Sequence, residues 1–171
     1  THPLSRRYRF LADLSRLERD VLTRLFESRL PTLDPQTIGK IRAEDWPRVR
    51  LILDPTVLLL KVAWPVERLW RRRELPPNAG NRTIRRPGAQ WLLIFRDETW
   101  VRVADISRPQ WDALRQIKNG ARLGRVFTRA SKSLGNTHAA EVQRWLSSWV
   151  GGGLIKGIEC PGDRTPSRAR S

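Results

Sequence analysis

Across residues 90–158 the apolar rhythm changes in a set order: two strand-like runs, three helical segments and one closing apolar run. Gln90–Phe95 and Thr99–Val103 flank Arg96-Asp97-Glu98 and predict a β-hairpin with Trp91 and Trp100 as large strand residues. Ser107-Arg108-Pro109-Gln110 has the form of a capping box. It is followed by Trp111, Leu114 and Ile117 as a buried stripe and by Asn119-Gly120 as a stop. A second helix is expected over 122–131, burying Leu123, Val126, Phe127 and Ala130. A third is expected over 137–150, burying Ala140, Val142, Trp145, Leu146 and Trp149. Gly151-Gly152-Gly153 then releases the chain into a strand over 154–158. A hairpin followed by three helices is winged-helix-like, and the expected fold class is α+β.

Upstream, Phe10, Leu14, Leu17, Val21 and Leu25 recur at three- and four-residue intervals, which predicts an amphipathic helix within 5–28. Residues 30–47 carry Pro31, Pro35, Gly39 and Pro47 and read as a connector with a short helix around 37–42. Two Val/Leu/Ile-rich runs, 48–53 and 57–62, are separated by Asp54-Pro55-Thr56 and are expected to pair as a first hairpin. Pro65 suits the first turn of a short helix over 66–73. Residues 74–88 hold three prolines, two glycines and almost no apolar side chains, so the linker belongs there. The window 68–86 sets Arg68, Arg71, Arg72, Arg73, Arg82, Arg85 and Arg86 against Glu74 alone. The expected organisation is a helix with connector (1–46), hairpin with short helix (47–73), basic linker (74–89), winged-helix-like module (90–159) and disordered tail (160–171).

Several chemistries are excluded by what the chain lacks. With His2, His138 and Cys160 as the only histidines and cysteine, no four-ligand zinc site and no intrachain disulfide can form. The adjacent carboxylates Glu44-Asp45 and Asp97-Glu98 fall in turns beside cations and read as turn formers. Gly151-Gly152-Gly153 lacks the lysine and spacing of a phosphate loop. No catalytic residue, metal ligand or cofactor of its own is expected, and the chain reads as a non-enzyme. The longest apolar run, Thr56–Trp64, is interrupted by Lys61, so no membrane span is expected. Without a signal-peptide core the default location is cytoplasmic. No Met occurs, not even an initiator, as expected of a chain lacking an upstream segment.

What remains is binding. A net charge of +16 points to an acidic or polyanionic partner. Arg122, Arg125, Arg129 and Lys132 fall on one helical face and are candidate nucleic-acid contacts. The third helix offers only Arg144 as a cation, beside Glu141, which argues against base-specific DNA reading. The second candidate is a peptide added along the edge of the 90–103 hairpin against the third helix, with Trp91, Ile94, Phe95, Trp100, Val101, Arg144 and Trp145 as contacts. Eight tryptophans exceed what one small core hides, so some are expected at interfaces. Trp64, Arg68, Trp70 and Arg71 are the candidates for docking a partner protein.

Three stretches together resemble a family. They are Phe10-Leu11-Ala12-Asp13-Leu14-Ser15-Arg16-Leu17-Glu18, then Leu51–Val57 running on to Trp64-Pro65-Val66-Glu67-Arg68-Leu69-Trp70, then the 91–103 hairpin. Residues 8–158 are similar to the HvfC/BufC-type proteins, often labelled putative DNA-binding proteins. The resemblance implies an additional helical domain upstream. It also implies a heterodimeric partner of a multinuclear non-haem iron oxidase that modifies cysteines in ribosomally made precursor peptides, the iron belonging to the oxidase. The precursor would be recognised through a winged-helix-like module that binds peptide by strand addition. The chain departs from the family in being shorter, more basic and arginine-bearing at its end.

Overall fold

The computed structural model describes residues 9–28, 30–31, 33–72, 88–135 and 138–160. The chain is α+β, mixing helix and sheet in the order α1 (Phe10–Leu25), α2 (Pro35–Gly39), a 3-10 turn (Trp46–Arg48), β1 (Arg50–Leu53), β2 (Leu58–Val62), α3 (Glu67–Arg72), β3 (Gln90–Arg96), β4 (Val101–Ile106), α4 (Arg108–Lys118), α5 (Leu123–Leu134), α6 (His138–Gly151) and β5 (Ile155–Glu159). It divides into two units, each built from two separate stretches: Thr1–Arg29 with Pro55–Trp111, and Leu30–Asp54 with Asp112–Ser171. The segment 90–159 is therefore shared between the units, its hairpin in the first and most of its helical part in the second.

Unit 1 is an antiparallel sheet of order β2-β3-β4. Because strand side chains alternate, Leu60, Val62, Leu92 and Ile94 share one face, and they form a core with Leu17 and Val21 of α1 and with Val66 and Trp70. The stripe read from the sequence thus meets the sheet. Complete burial of Leu17 is worth about 2 kcal/mol in apolar area alone. Asp13 accepts from the N–H groups of Ala63 (2.8 Å) and Trp64 (3.0 Å), which ties α1 to the end of β2. Phe10 packs edge-on against Trp64, with ring centroids 6.5 Å apart.

The expected hairpin over 48–62 does not form. β1 pairs with β5, Arg50 opposite Glu159 and Leu53 opposite Ile155, while β2 pairs with β3, Leu58 opposite Ile94. The intervening residues are held by different partners. The Asp54 N–H donates to the Leu154 carbonyl (2.8 Å), whereas the Thr56 hydroxyl accepts from the Arg96 N–H (3.3 Å).

Unit 2 buries Leu51, Leu114, Ile117, Leu123, Val126, Trp145, Trp149 and Ile155. The Ser107 hydroxyl accepts from the Gln110 N–H (3.3 Å) at the start of α4. At its end Gly120 adopts φ 74°, with Gly120 N–H to Ile117 O (2.8 Å) and Ala121 N–H to Gln116 O (3.0 Å), the two bonds of a Schellman stop. Half-buried Trp111 is joined in the stripe by buried Ala113. The first helix is shorter than its expected window, the connector helix sits at 35–39 rather than 37–42, and α5 runs three residues past 131. The linker and the densest cationic stretch lie mostly within 73–87, and the tail within 161–171, outside the described residues.

Candidate peptide-docking edge

β3 lies between β2 and β4, so both of its edges are already bonded. The hairpin's free edge belongs to β4 alone. Trp91, Ile94 and Phe95, expected on an edge, are on the central strand, and Ile94 is wholly buried in the core. Among the described residues, the outward N–H and C=O groups of β4 make no backbone bond beyond the ladder to β3. Such an edge can accept another strand.

Trp100 is not a strand residue. Asp97 Oδ1 accepts from the N–H groups of Thr99 (2.8 Å) and Trp100 (2.7 Å), and the Asp97 N–H donates to Trp100 O (2.9 Å). The other carboxylate oxygen accepts from the Arg102 guanidinium. This closes a turn over 97–100 and delays β4 to Val101, leaving the Trp100 side chain 64% exposed. Partial burial alone would raise the Asp97 pKa. The two N–H groups and the Arg102 charge outweigh it and hold the carboxyl below its ordinary value.

Arg96, the last residue of β3, donates from Nη1 to the carbonyls of Leu25 (2.8 Å) and Glu27 (3.3 Å) and so satisfies carbonyls at the end of α1. Phe26, which follows α1, and Leu22, in its last turn, are 88% and 56% exposed. Sequence reasoning missed both. They fall off the 10-14-17-21-25 stripe, and that displacement was the available signal.

The other expected contacts sit elsewhere. Val101 is half-buried against the unit 1 core. Arg144 and Trp145 are on α6 in unit 2. Arg144 is paired with Glu141 (2.7 Å), and Trp145 is buried, stacked on Trp149 at 6.2 Å, with its indole N–H on Glu141 (3.1 Å). Trp145 therefore acts in packing rather than at a surface. Of the partner-docking residues, Trp64 is half-buried, Arg68 is exposed and Arg71 is paired with Glu67. Trp70, 7% exposed, belongs to the core and offers no docking surface.

Arg122 precedes α5, and Arg125, Arg129 and Lys132 follow on its exposed side. None of the ion pairs found among the described residues involves them. Unit 2 also carries an apolar groove of about 560 Å³ lined by Trp46, Leu51, Phe127, Leu146, Val150 and Ile155 among others. Among the described residues no ionisable side chain lines it. Among the described residues no cluster of three His, Cys, Asp or Glu could hold a metal ion, and no helix is long and apolar enough to cross a membrane. No protein-family model, curated protein or solved structure matches the chain.

Proposed function

We propose that this chain is a non-catalytic partner subunit that takes up a ribosomally made precursor peptide as an added strand on β4 and presents it to a multinuclear iron-dependent oxidase for cysteine modification. The observation that carries the reading is the β4 edge, unpaired among the described residues, beside a turn that leaves a tryptophan exposed. Strand addition supplies main-chain hydrogen bonds whatever the peptide's sequence, and neighbouring side chains supply selectivity. In this reading the hairpin β3–β4 supplies the strand edge of a winged-helix-like recognition fold. The +16 charge favours an acidic leader or an acidic oxidase surface. The iron belongs to the oxidase, the working unit is a heterodimer, and the location is cytoplasmic.

The test is coexpression with a candidate iron oxidase and the cysteine-bearing peptide encoded beside it. Copurification, a mass change in the peptide that depends on this chain, and slowed amide exchange in 101–106 on peptide binding are expected. Absence of any complex together with unchanged turnover overturns the proposal.

A second reading, nucleic-acid association, is favoured by one observation: the four cations at 122, 125, 129 and 132 have no ion-pair partner among the described residues. It requires binding to duplex DNA whose log affinity falls with log salt at a slope of about −3 to −4, from some four phosphate contacts. Charge reversal at Arg125 and Arg129 should flatten that slope. Salt-independent or absent binding disposes of it.

A further inference from the structure

We infer that the β4 edge takes its peptide in one register, bonded to the main chain of Val101, Val103 and Asp105, and that Asp105 selects a lysine or arginine at the peptide position across from it. The inference rests on the reading of β4 as a strand acceptor and names what that edge selects.

The ladder sets which groups face outward. Ile106 lies across from Trp91 and Val101 across from Arg96, and the same pairing continues to Trp100 and Asp97, where the Asp97 N–H donates to Trp100 O (2.9 Å). In an antiparallel ladder bonded and non-bonded pairs alternate, so Arg102, Ala104 and Ile106 turn their N–H and C=O groups to β3. Val101, Val103 and Asp105 turn theirs away. The Arg96 N–H agrees with this parity, because it donates to the hydroxyl of Thr56 (3.3 Å), which precedes β2, and so points away from β4. Three donors and three acceptors therefore line the free edge, with no backbone partner among the described residues.

Main-chain bonds alone let a peptide slip by two residues, and a charged pair is what pins it. The side chains of Val101, Val103 and Asp105 share one face. Val101 and Val103 pack on the unit 1 core, whereas Asp105 is exposed. Its Oδ2 accepts from Nε2 of buried Gln90 (2.8 Å), and Gln90 Oε1 accepts from the Glu67 N–H (3.3 Å), so the carboxylate is held before any peptide arrives.

Charge decides the occupant. Asp105 has no ion-pair partner among the described residues. Arg71 is paired with Glu67, Arg102 with Asp97, and Arg96 is engaged with backbone carbonyls. Arg16 and Arg19 on α1 and Arg68 on α3 are exposed, and none of them is paired with Asp105. A residue directly across a ladder stands with its Cβ about 5 Å away, so a basic side chain there reaches the carboxylate and an acidic one meets like charge. The +16 charge acts on the peptide as a whole, while Asp105 acts on one position. The sheet is antiparallel throughout, and an antiparallel addition reads, from N to C, basic, any, apolar, any, apolar, across from Asp105, Val103 and Val101.

The experiment is selection of a displayed random 12-residue peptide library against the full chain and against Asp105→Asn, which keeps an oxygen for Gln90 and removes the charge. Salt of about 0.3 M screens the net charge during selection. Wild type should enrich the basic-x-apolar-x-apolar pattern, and the variant should keep the apolar alternation and lose the basic position. Replacing that basic residue by Glu should weaken binding to wild type about tenfold and to the variant less than about twofold. N-methylation of the basic or either apolar residue should abolish binding, and methylation between them should not. If alternation is enriched but the basic position is absent, or equally strong in the variant, the role of Asp105 is refuted while β4 stands as an acceptor. If the intervening positions are the methylation-sensitive ones, the register is refuted. If wild type enriches nothing, the strand-acceptor reading fails and the inference with it.

Discussion

Asp54 and Lys156 form an ion pair inside unit 2, Nζ to Oδ2 at 3.6 Å, with side chains only 2% and 1% exposed. At that separation the attraction is about 5 kcal/mol for an effective dielectric of about 20. The separation is too long for a hydrogen bond between the two groups, so what joins Asp54 to Lys156 is Coulomb attraction. Replacing Asp54 by Leu leaves a buried ammonium without its counter-charge and should cost about 3–5 kcal/mol, as should Lys156→Met. With a urea dependence of about 2 kcal/mol/M, a loss of about 4 kcal/mol lowers the unfolding midpoint by about 2 M. The double variant Asp54→Leu/Lys156→Met removes both charges and keeps most of the volume. It should return to within about 1 kcal/mol of wild type or exceed it. Urea unfolding of the four proteins at pH 7, followed by tryptophan fluorescence, closes the cycle. Single losses below about 1 kcal/mol, or a double variant as unstable as the two singles added, would refute the reasoning.

The Asp97 turn should respond to acid. Its folded pKa is depressed, so its contribution is complete above the unfolded value of about 3.9 and disappears as pH falls through the folded value. Between pH 5 and 2 wild type should lose more stability than Asp97→Asn, and parallel losses in denaturant titrations would contradict this. At Gly124 an added Cβ would stand 2.8 Å from the Pro47 carbonyl oxygen, so Gly124→Ala should cost about 1–3 kcal/mol by calorimetry, and a neutral result would mean that the 46–48 turn yields freely. Trp70→Ala should cost about 3–5 kcal/mol and Arg68→Ala under about 0.5 kcal/mol. Equal effects would contradict the core position of Trp70.

Features encoded over one or two helical turns were legible in the sequence. The Ser107 cap, the Gly120 stop and the Leu14-Leu17-Val21 stripe each carry their physical cause within a few residues. Strand existence was legible too, since β-branched and leucine-rich runs mark 50–53, 58–62 and 90–96. Strand partnership was not. Asp54-Pro55-Thr56 looks like a turn, and nothing local says that Leu53 will face Ile155 or that Leu58 will face Ile94. The same limit misplaced the docking residues. Trp70 and Trp145 are aromatic in every reading, but only tertiary packing decides which face of a helix is covered. Trp100 left the strand because one carboxylate captured two backbone N–H groups, a competition that alternation of apolar residues does not reveal.

The pairing of β1 with β5 fixes an order of events during synthesis. Residue 50 emerges long before its partner at 159, so the second unit has no complete sheet until synthesis has passed residue 159. The intervening stretch includes β2, β3 and β4, whose mutual pairings are shorter in sequence and lower in loop-closure cost. The first unit can therefore assemble while β1 waits as an unpaired strand, exposed to mispairing. A fragment ending before 155 should leave β1 in that state, and shortened versions of this protein should aggregate through residues 50–53.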